Sequence, residues 1–237
     1  MLKDLLIIDI ETVPVQQNYS LLDDNWKNLW TDKISKTVPE NSDSAEMYLK
    51  RAGIMAEFGK IICISTAFFT EASPGECKLR VKSIYGENEK ELLTAFIDLC
   101  NKVYLHNKQF IFGGHNIKEF DVPFICRRIL VNGLRLPEYL QLHDKKPWET
   151  KMFDTLNWWK FGDNKNYISL HLLANVLGIG TSKTDIDGSM VQHVYYEEKD
   201  LQRIVDYCQR DVAVTANIIL KFHQYPLLQE KDITIVS

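Results

Sequence analysis

Closely spaced cysteines, long apolar runs and an excess of basic residues are all missing from this sequence. Its five cysteines are odd in number and scattered, with no C-x-x-C pair. That pattern argues against a zinc ribbon or a disulfide framework and favours reduced thiols. No apolar run approaches the roughly 20 residues that span a bilayer, and the opening Met-Leu-Lys-Asp is unlike a secretory signal. We therefore expect a cytoplasmic protein with no membrane partner.

The composition is that of a folded protein with slightly more acid than base. The chain has 237 residues, is 45% hydrophobic and 25% charged, and carries a net charge of −4. This length and balance suit one large globular domain or two small ones, and we interpret residues 1–237 as a single domain. A negative net charge excludes the strong basic field of a protein that coats nucleic acid. It still permits an enzyme that holds a few nucleotides through metal ions.

Apolar periodicity predicts an α/β fold. Strands are predicted at 3–10, 61–69, 79–85 and 110–114, and helices at 87–104, 120–131, 153–159, 169–177 and 199–222. The second and third strands indicate an antiparallel hairpin, so the sheet is expected to be mixed. Helical spacing between residues 20 and 58 is too long for a simple connection, and we interpret this stretch as a helical insertion after the first strand.

Two carboxylates follow the apolar run of the first predicted strand. Asp9 and Glu11 are two residues apart, so their side chains point the same way from a strand. Like charges held this close raise each other's pKa unless a cation lies between them. A hard divalent metal ion would satisfy both groups.

Two later segments each add a carboxylate. Asp121 precedes Pro123 and is expected where a helix begins, while Tyr207 and Asp211 are four apart in the last helix and share a face. Taken singly, each of the three segments also has a structural interpretation. The Asp9–Glu11 pair could be an ordinary acidic strand end, and Asp121 could be an N-cap before a first-turn proline. Tyr207 with Asp211 could be a surface pair. Their conjunction and order favour one shared site.

The three segments carry sequence motifs: Asp9-Ile10-Glu11-Thr12, then His115-Asn116 with Phe120-Asp121-Val122-Pro123-Phe124, then Tyr207 with Asp211. Together they resemble the motifs of DEDD-type 3′–5′ exonucleases of the ribonuclease H-like superfamily. The likeness is narrower to the exonuclease domains of family B DNA polymerases, in a stand-alone form of the tyrosine subclass. It implies a ribonuclease H-like mixed five-stranded sheet flanked by helices.

The resemblance also implies a mechanism. Asp9, Glu11, Asp121 and Asp211 would bind two divalent cations, Mg²⁺ or Mn²⁺, and Tyr207 would orient the attacking water. The partner would be nucleic acid with a free 3′ end, single-stranded DNA above all, and the product a nucleoside 5′-monophosphate. Residues expected to contact this substrate are Thr12, Asn116 and Phe120, although Phe120 could equally be a core residue.

Other interpretations stay open from the sequence alone. The same fold could be a catalytically silent nucleic-acid-binding or assembly module, or a phosphodiesterase acting on another ester. Asp154 is a further acid, for which we favour an N-cap role over a place in the site. Asp185 and Asp187 lie in a segment that we interpret as a solvated turn.

Overall fold

A mixed six-stranded sheet forms the centre of this computed structural model, which describes residues 2–39, 42–73, 76–146, 148–163, 165–180 and 186–236. The strands are β1 (Leu5–Pro14), β2 (Gly59–Ser73), β3 (Glu76–Tyr85), β4 (Ile111–Gly114), β5 (Met152–Asp154) and β6 (Ile233–Val236). Their order across the sheet is β5-β4-β1-β2-β3-β6. The first three strands pair antiparallel, whereas β4 joins β1, β5 joins β4 and β6 joins β3 in parallel.

Helices cover both faces of this sheet. They are α1 (Asp24–Ile34), α2 (Ser44–Arg51), α3 (Glu89–His106), α4 (Asp121–Val131), α5 (Thr155–Lys160), α6 (Leu170–Val176), α7 (Val191–His193) and α8 (Leu201–Phe222). Several begin at a short polar residue whose side chain accepts a backbone N–H of the first turn, as Asn88, Ser169 and Asp200 do. Among the described helices, none combines the length and apolarity that crossing a membrane requires.

The two faces of β1 pack against different helices. Leu6, Ile8 and Ile10 lie in a buried cluster with α3 and α4, whereas Leu5 and Ile7 lie in a second cluster with α8. Because side chains alternate along a strand, the face that carries residues 5 and 7 continues to positions 9 and 11. The two acidic side chains of β1 therefore look toward α8.

β1 is longer than the sequence pattern predicts. The strand continues past residue 10 to Pro14 because its second half still pairs with β2. Asp9 and Glu11 consequently lie inside the strand and not at its carboxyl end. The pairing register shifts after Glu11, which is opposite Cys63, whereas the next residue is opposite Ile61. Such a bulge bends a strand locally and re-aims its side chains.

Between β1 and β2 the chain forms the two helices α1 and α2 and two short 3₁₀ turns, Tyr19–Leu21 and Ala52–Ile54. Trp30, Tyr48 and Phe58 are buried between them. The Trp30 ring meets Tyr48 edge-on at 5.2 Å and Phe58 at 5.0 Å between centroids, a favourable aromatic geometry. The helical insertion predicted at 20–58 therefore has a small core of its own.

Two predictions for the sheet were wrong. Phe153 and Asp154, predicted as the start of a helix, belong to the edge strand β5, which pairs with Phe112, Gly113 and Gly114 of β4. The residues after the last predicted helix, for which no strand was predicted, include β6, so the described sheet has six strands and not the five that the resemblance implies. Strands of three and four residues are too short to show a period, and it is pairing with a neighbour that fixes them.

Asp185, predicted to lie in a solvated turn, is outside the described residues.

A buried ion pair connects α3, α4 and the start of β2. Arg128 donates through Nη2 to Oε2 of Glu89 at 2.6 Å and through Nε to Oε1 at 2.9 Å. Glu89 also accepts the backbone N–H of Ile61 at 2.7 Å, and Arg128 donates to the carbonyl of Ala56 at 2.9 Å. Both side chains are buried, so each charge is matched by several hydrogen bonds, as buried charges require.

Candidate active site

Asp9 and Glu11 form the centre of an acidic cluster. Three atoms lie within 4.8 Å of one another: a carboxylate oxygen of Asp9, a carboxylate oxygen of Glu11, and Sγ of Cys208 on α8. Glu11 is only 8% exposed, and Asp9 is half-buried. The strand thus delivers both carboxylates to a confined space between β1 and α8, as the D-x-E spacing predicted.

Asp121 reaches the same place from another element. It is the first residue of α4 and is buried. Its Oδ1 accepts the backbone N–H of Ile10 at 3.1 Å, which fixes the carboxylate beside the acidic strand. The N-cap interpretation is wrong for this residue, because Phe120 occupies that position and makes no capping hydrogen bond through its side chain.

α8 supplies the remaining acid and the tyrosine. Tyr207 and Asp211 are one turn apart and their side chains share a hydrogen bond, while burial and then the Asp211 carboxylate raise the pKa of Tyr207 well above its usual value. Glu11 and Asp9 raise the pKa of Tyr207 further. The surface-pair interpretation is therefore wrong, since Tyr207 lies within electrostatic reach of both acids of β1.

Burial disfavours the charged form of all four carboxyl groups of the site, those of Asp9, Glu11, Asp121 and Asp211. Burial is the main cause of the raised pKa of Asp9 and Glu11, and repulsion by neighbouring carboxylates, Asp211 among them, adds to it. Burial also raises the pKa of Asp121 to about 7 and that of Asp211 to about 6. A divalent cation would relieve this repulsion, and the carboxylate oxygens are the donors that Mg²⁺ and Mn²⁺ prefer. The residues present therefore fit such a group.

Cys208 is a member of the cluster that the sequence analysis missed. Its thiol donates to Oδ2 of Asp9 at 3.2 Å and lies 3.4 Å from the Asp9 carbonyl oxygen. It is fully buried, so it helps hold the Asp9 carboxylate in place. Its position next to Tyr207 on the last predicted helix was the available signal, but a lone cysteine carries little information.

The loop that leads into Asp121 is held by Asp154. As predicted, Asp154 caps a helix, accepting the backbone N–H groups of Leu156 and Asn157 at the start of α5. Its carboxylate also accepts the backbone N–H of Asn116 at 3.0 Å and of Lys118 at 3.1 Å. Asn116 has a left-handed backbone, φ 61°, a conformation that asparagine tolerates better than most other non-glycine residues.

Of the three residues predicted to contact substrate, two line one cavity beside the acidic cluster. Thr12 and Phe120 both line a cavity of about 410 Å³ that also borders Glu11. Asn116 is not among the described residues that line it, although its loop ends at the site. Asp187, as expected, forms a turn: its Oδ1 accepts the backbone N–H of Ser189 at 2.8 Å.

Comparison with solved structures shows the fold. The chain is similar to the family B DNA polymerase from the hyperthermophilic archaeon Pyrobaculum calidifontis, with a TM-score of 0.52 and 13% identity. That match covers 93% of this chain but only 24% of the polymerase chain. It confirms the ribonuclease H-like α/β fold that the motifs predicted.

Comparison by sequence shows the family. A search of curated proteins gave no match. A family model described as "Predicted 3′-5′ exonuclease related to the exonuclease domain of PolB" matches residues 54–231. The matched range includes Asp121, Tyr207 and Asp211, while Asp9 and Glu11 precede it and join them through the fold. The chain therefore belongs to this family of predicted 3′-5′ exonucleases related to the exonuclease domain of PolB.

Proposed function

We propose that this protein is a metal-dependent 3′–5′ exonuclease that shortens single-stranded DNA and releases nucleoside 5′-monophosphates. The observation that carries the proposal is the convergence of four carboxylates from β1, α4 and α8 beside a tyrosine. A separate interaction holds three of these acids: the N–H of Ile10 contacts Asp121, the thiol of Cys208 contacts Asp9, and Tyr207 contacts Asp211. We further propose that residues 1–237 act as one domain, in the cytoplasm.

The carboxylates of Asp9, Glu11, Asp121 and Asp211 would hold two divalent cations, Mg²⁺ or Mn²⁺. Such cations supply a nucleophilic water at neutral pH and offset charge on phosphate oxygens. The protein contributes the fixed positions of these acids: the N–H of Ile10 holds Asp121, and the thiol of Cys208 holds Asp9.

Tyr207 would orient the attacking water and not deprotonate it. Its raised pKa keeps the phenol protonated at neutral pH, so it is a poor general base. Its hydroxyl hydrogen is donated to Asp211, which leaves the oxygen free to accept a hydrogen bond from a water molecule. Asp211 therefore has two roles, as a metal ligand and as the group that sets the direction of the phenol.

The experiment is a product ladder from 5′-labelled single-stranded DNA with Mg²⁺, Mn²⁺ or EDTA. Stepwise shortening from the 3′ end with either metal, and none in EDTA, is expected. Asp9→Asn and Asp211→Asn should each abolish it. Asp206→Asn is the matched control, because Asp206 is exposed on the same helix and its change removes the same charge. A wild-type protein that binds DNA but never shortens it would establish the silent module instead.

A further inference from the structure

Another cavity, of about 300 Å³, lies at the start of strands β4 and β5, away from the acidic cluster. Ile111 and Met152, the first residues of these strands, both line it. Ile111 is opposite Leu5 of β1, and Asp9 is four residues farther along that strand, about 13 Å away at roughly 3.3 Å per residue. None of the four acids of the site is among the described residues of this lining. The cavity is therefore separate from the candidate active site.

Three exposed lysines surround this cavity, each from a different segment. Lys108 lies between α3 and β4, Lys145 follows α4, and Lys151 immediately precedes β5. In the part of the chain that the structure describes, no carboxylate lies within ion-pair distance of any of their ammonium groups. Positive charges gathered around one cavity repel one another unless an anion lies among them. The lining therefore favours an anionic ligand.

Both acids of the described lining already have hydrogen-bond partners. Oε2 of Glu149 accepts the backbone N–H of Lys146 at 2.9 Å. The carboxylate of Glu138 shares a hydrogen bond with the hydroxyl of Tyr104. Neither acid therefore offsets the charge of the three lysines at close range.

Aromatic rings form the wall beside these lysines. Tyr104 and Tyr139 are half-buried, and their ring centroids are 5.4 Å apart. Phe110 packs 5.4 Å from Tyr139 and also belongs to the lining. The ammonium of Lys108 lies 5.9 Å from the centroid of the Tyr104 ring, so a positive charge and a flat apolar surface are adjacent. This combination suits a phosphate attached to an aromatic base, because bases stack on tyrosine while lysines meet phosphate oxygens.

We infer that this cavity binds a single nucleotide unit. Its phosphate meets Lys108, Lys145 and Lys151, and its base lies against Tyr104 and Tyr139. The volume of about 300 Å³ is at the lower end of the range of small-ligand sites, about 300–1,000 Å³, which limits the ligand to a compact one. A free mononucleotide and one nucleotide of a single strand share this chemistry. The inference goes beyond the proposed exonuclease and does not rest on it, because no carboxylate of the acidic cluster takes part.

Two lysine variants test the phosphate contact. The double substitution Lys108→Gln with Lys151→Gln removes two of the three charges from exposed positions, so folding should be preserved. The matched control is Lys36→Gln with Lys90→Gln, which removes the same charge from two exposed lysines outside the described lining. Lys145→Gln is an independent variant in a different loop, and urea unfolding checks that each protein is folded.

Calorimetric titration in EDTA at low salt measures nucleotide binding without the divalent cations that would attract a phosphate to the acids. The wild-type protein should bind deoxyadenosine 5′-monophosphate at least about tenfold more tightly than deoxyadenosine, which lacks the phosphate. It should bind the nucleotide at least about fivefold more tightly than 2-deoxyribose 5-phosphate, which lacks the base. The double lysine variant should weaken nucleotide binding about tenfold, Lys145→Gln about threefold, and the control less than about twofold.

A short single-stranded oligothymidylate, titrated in the same buffer, identifies the source of the ligand. Tighter binding of the strand than of the mononucleotide, weakened by the same lysine variants, identifies a nucleic-acid strand. Lysine-dependent binding of the mononucleotide alone identifies a free nucleotide. Either result supports the inferred chemistry of the cavity.

Three results would overturn the inference. The first is no detectable binding of the nucleotide at about 1 mM. The second is an affinity for deoxyadenosine or 2-deoxyribose 5-phosphate equal to that for the nucleotide. The third is that both lysine variants bind the nucleotide as tightly as the control does. A protein that fails in this way but shortens DNA retains the proposed exonuclease, whereas one that binds the nucleotide through the lysines but never shortens DNA retains the nucleotide site alone.

Discussion

The acidic residues of the site are in conflict with their surroundings, because burial disfavours the charged form of a carboxyl group. Burial raises the pKa of Asp121 to about 7 and of Asp211 to about 6, far above the usual carboxyl value of about 3.9. A surface acid has no such conflict, because water solvates its charge. The conflict is a property of the site, and we expect it to make the protein's stability depend on pH and on cations.

In EDTA, the free energy of unfolding should fall as the pH rises from 5 to 8. Between the unfolded and folded pKa values, Asp121 and Asp211 are ionised only in the unfolded chain, so a higher pH favours unfolding. The stabilisation is fully present below about pH 4 and is lost through pH 6–7. We expect a loss on the order of 2–4 kcal/mol, measured by urea unfolding.

Asp211→Asn should flatten that pH dependence and leave the metal-free protein at least as stable at pH 8. Adding Mg²⁺ should stabilise the wild type more at pH 8 than at pH 5. A stability that rises with pH in EDTA would contradict the assignment of these acids to one crowded cluster.

Tyr207→Phe should lower kcat about fivefold with little change in KM. The substitution keeps the ring in place and removes one hydrogen bond to the water, worth about 1 kcal/mol. Because the pKa of Tyr207 is raised above its usual value, the pH–rate profile of the variant between pH 6 and 9 should keep the wild-type shape. A basic limb that disappears in the variant would instead identify Tyr207 as a general base.

Secondary-structure elements meet at Asp154, which joins the end of β5, the start of α5 and the loop before α4. Its carboxylate accepts four backbone N–H groups, two of them from the loop that carries Asn116. No pattern in the sequence predicts the second pair, because β5 is too short to be recognised and the loop is 36 residues or more away along the chain.

Asp154→Ala should cost about 2–4 kcal/mol of unfolding free energy, since it leaves buried N–H groups without acceptors and removes a helix cap. The loop should then hold Asp121 less well, so kcat should fall beyond what the lost stability explains. Asp154→Asn keeps one acceptor oxygen and should recover part of both losses. Urea unfolding and steady-state kinetics at a temperature where every variant is folded would measure them. Asp187→Ala, which changes an exposed turn acid, is the control.

At the scale of the whole molecule, one buried ion pair connects the helices on one face of the sheet to the insertion. The Glu89–Arg128 pair binds α3 to α4, reaches the backbone at Ala56 near the end of the insertion, and holds Ile61 at the start of β2. Arg128 is therefore a structural residue and is not available to a phosphate. An exposed neighbour, Arg127, shows no such enclosure.

Arg128→Met should destabilise the protein by about 3–5 kcal/mol, because Glu89 would keep a buried charge without its partner. Glu89→Gln combined with Arg128→Met should recover a large part of that loss, since no unpaired charge remains. Arg127→Met should change the free energy of unfolding by less than about 0.5 kcal/mol. Denaturant unfolding of the three variants gives the comparison. A single variant as stable as the wild type would show that the pair contributes nothing.

Local sequence determined much of this protein. The D-x-E pair on an apolar strand, the acid at the start of α4 and the Tyr–Asp pair one turn apart were all predicted, because strand alternation and helical spacing are set within a few residues. Those same motifs identified the family. The long helices α3, α4 and α8 were predicted within about two residues of their bounds for the same reason.

Tertiary structure decided what depends on pairing between distant segments. The extension of β1 past the acids, the short strands β5 and β6, the contact of Cys208 with Asp9 and the enclosure of Arg128 all need a partner that sequence spacing does not reveal. The cavity beside Glu11 is the fullest case, because Leu49 and Ile54 look like ordinary exposed residues of an insertion until the fold brings them to the lining of that cavity. Local periodicity specifies which way a side chain points, whereas long-range packing specifies what it meets.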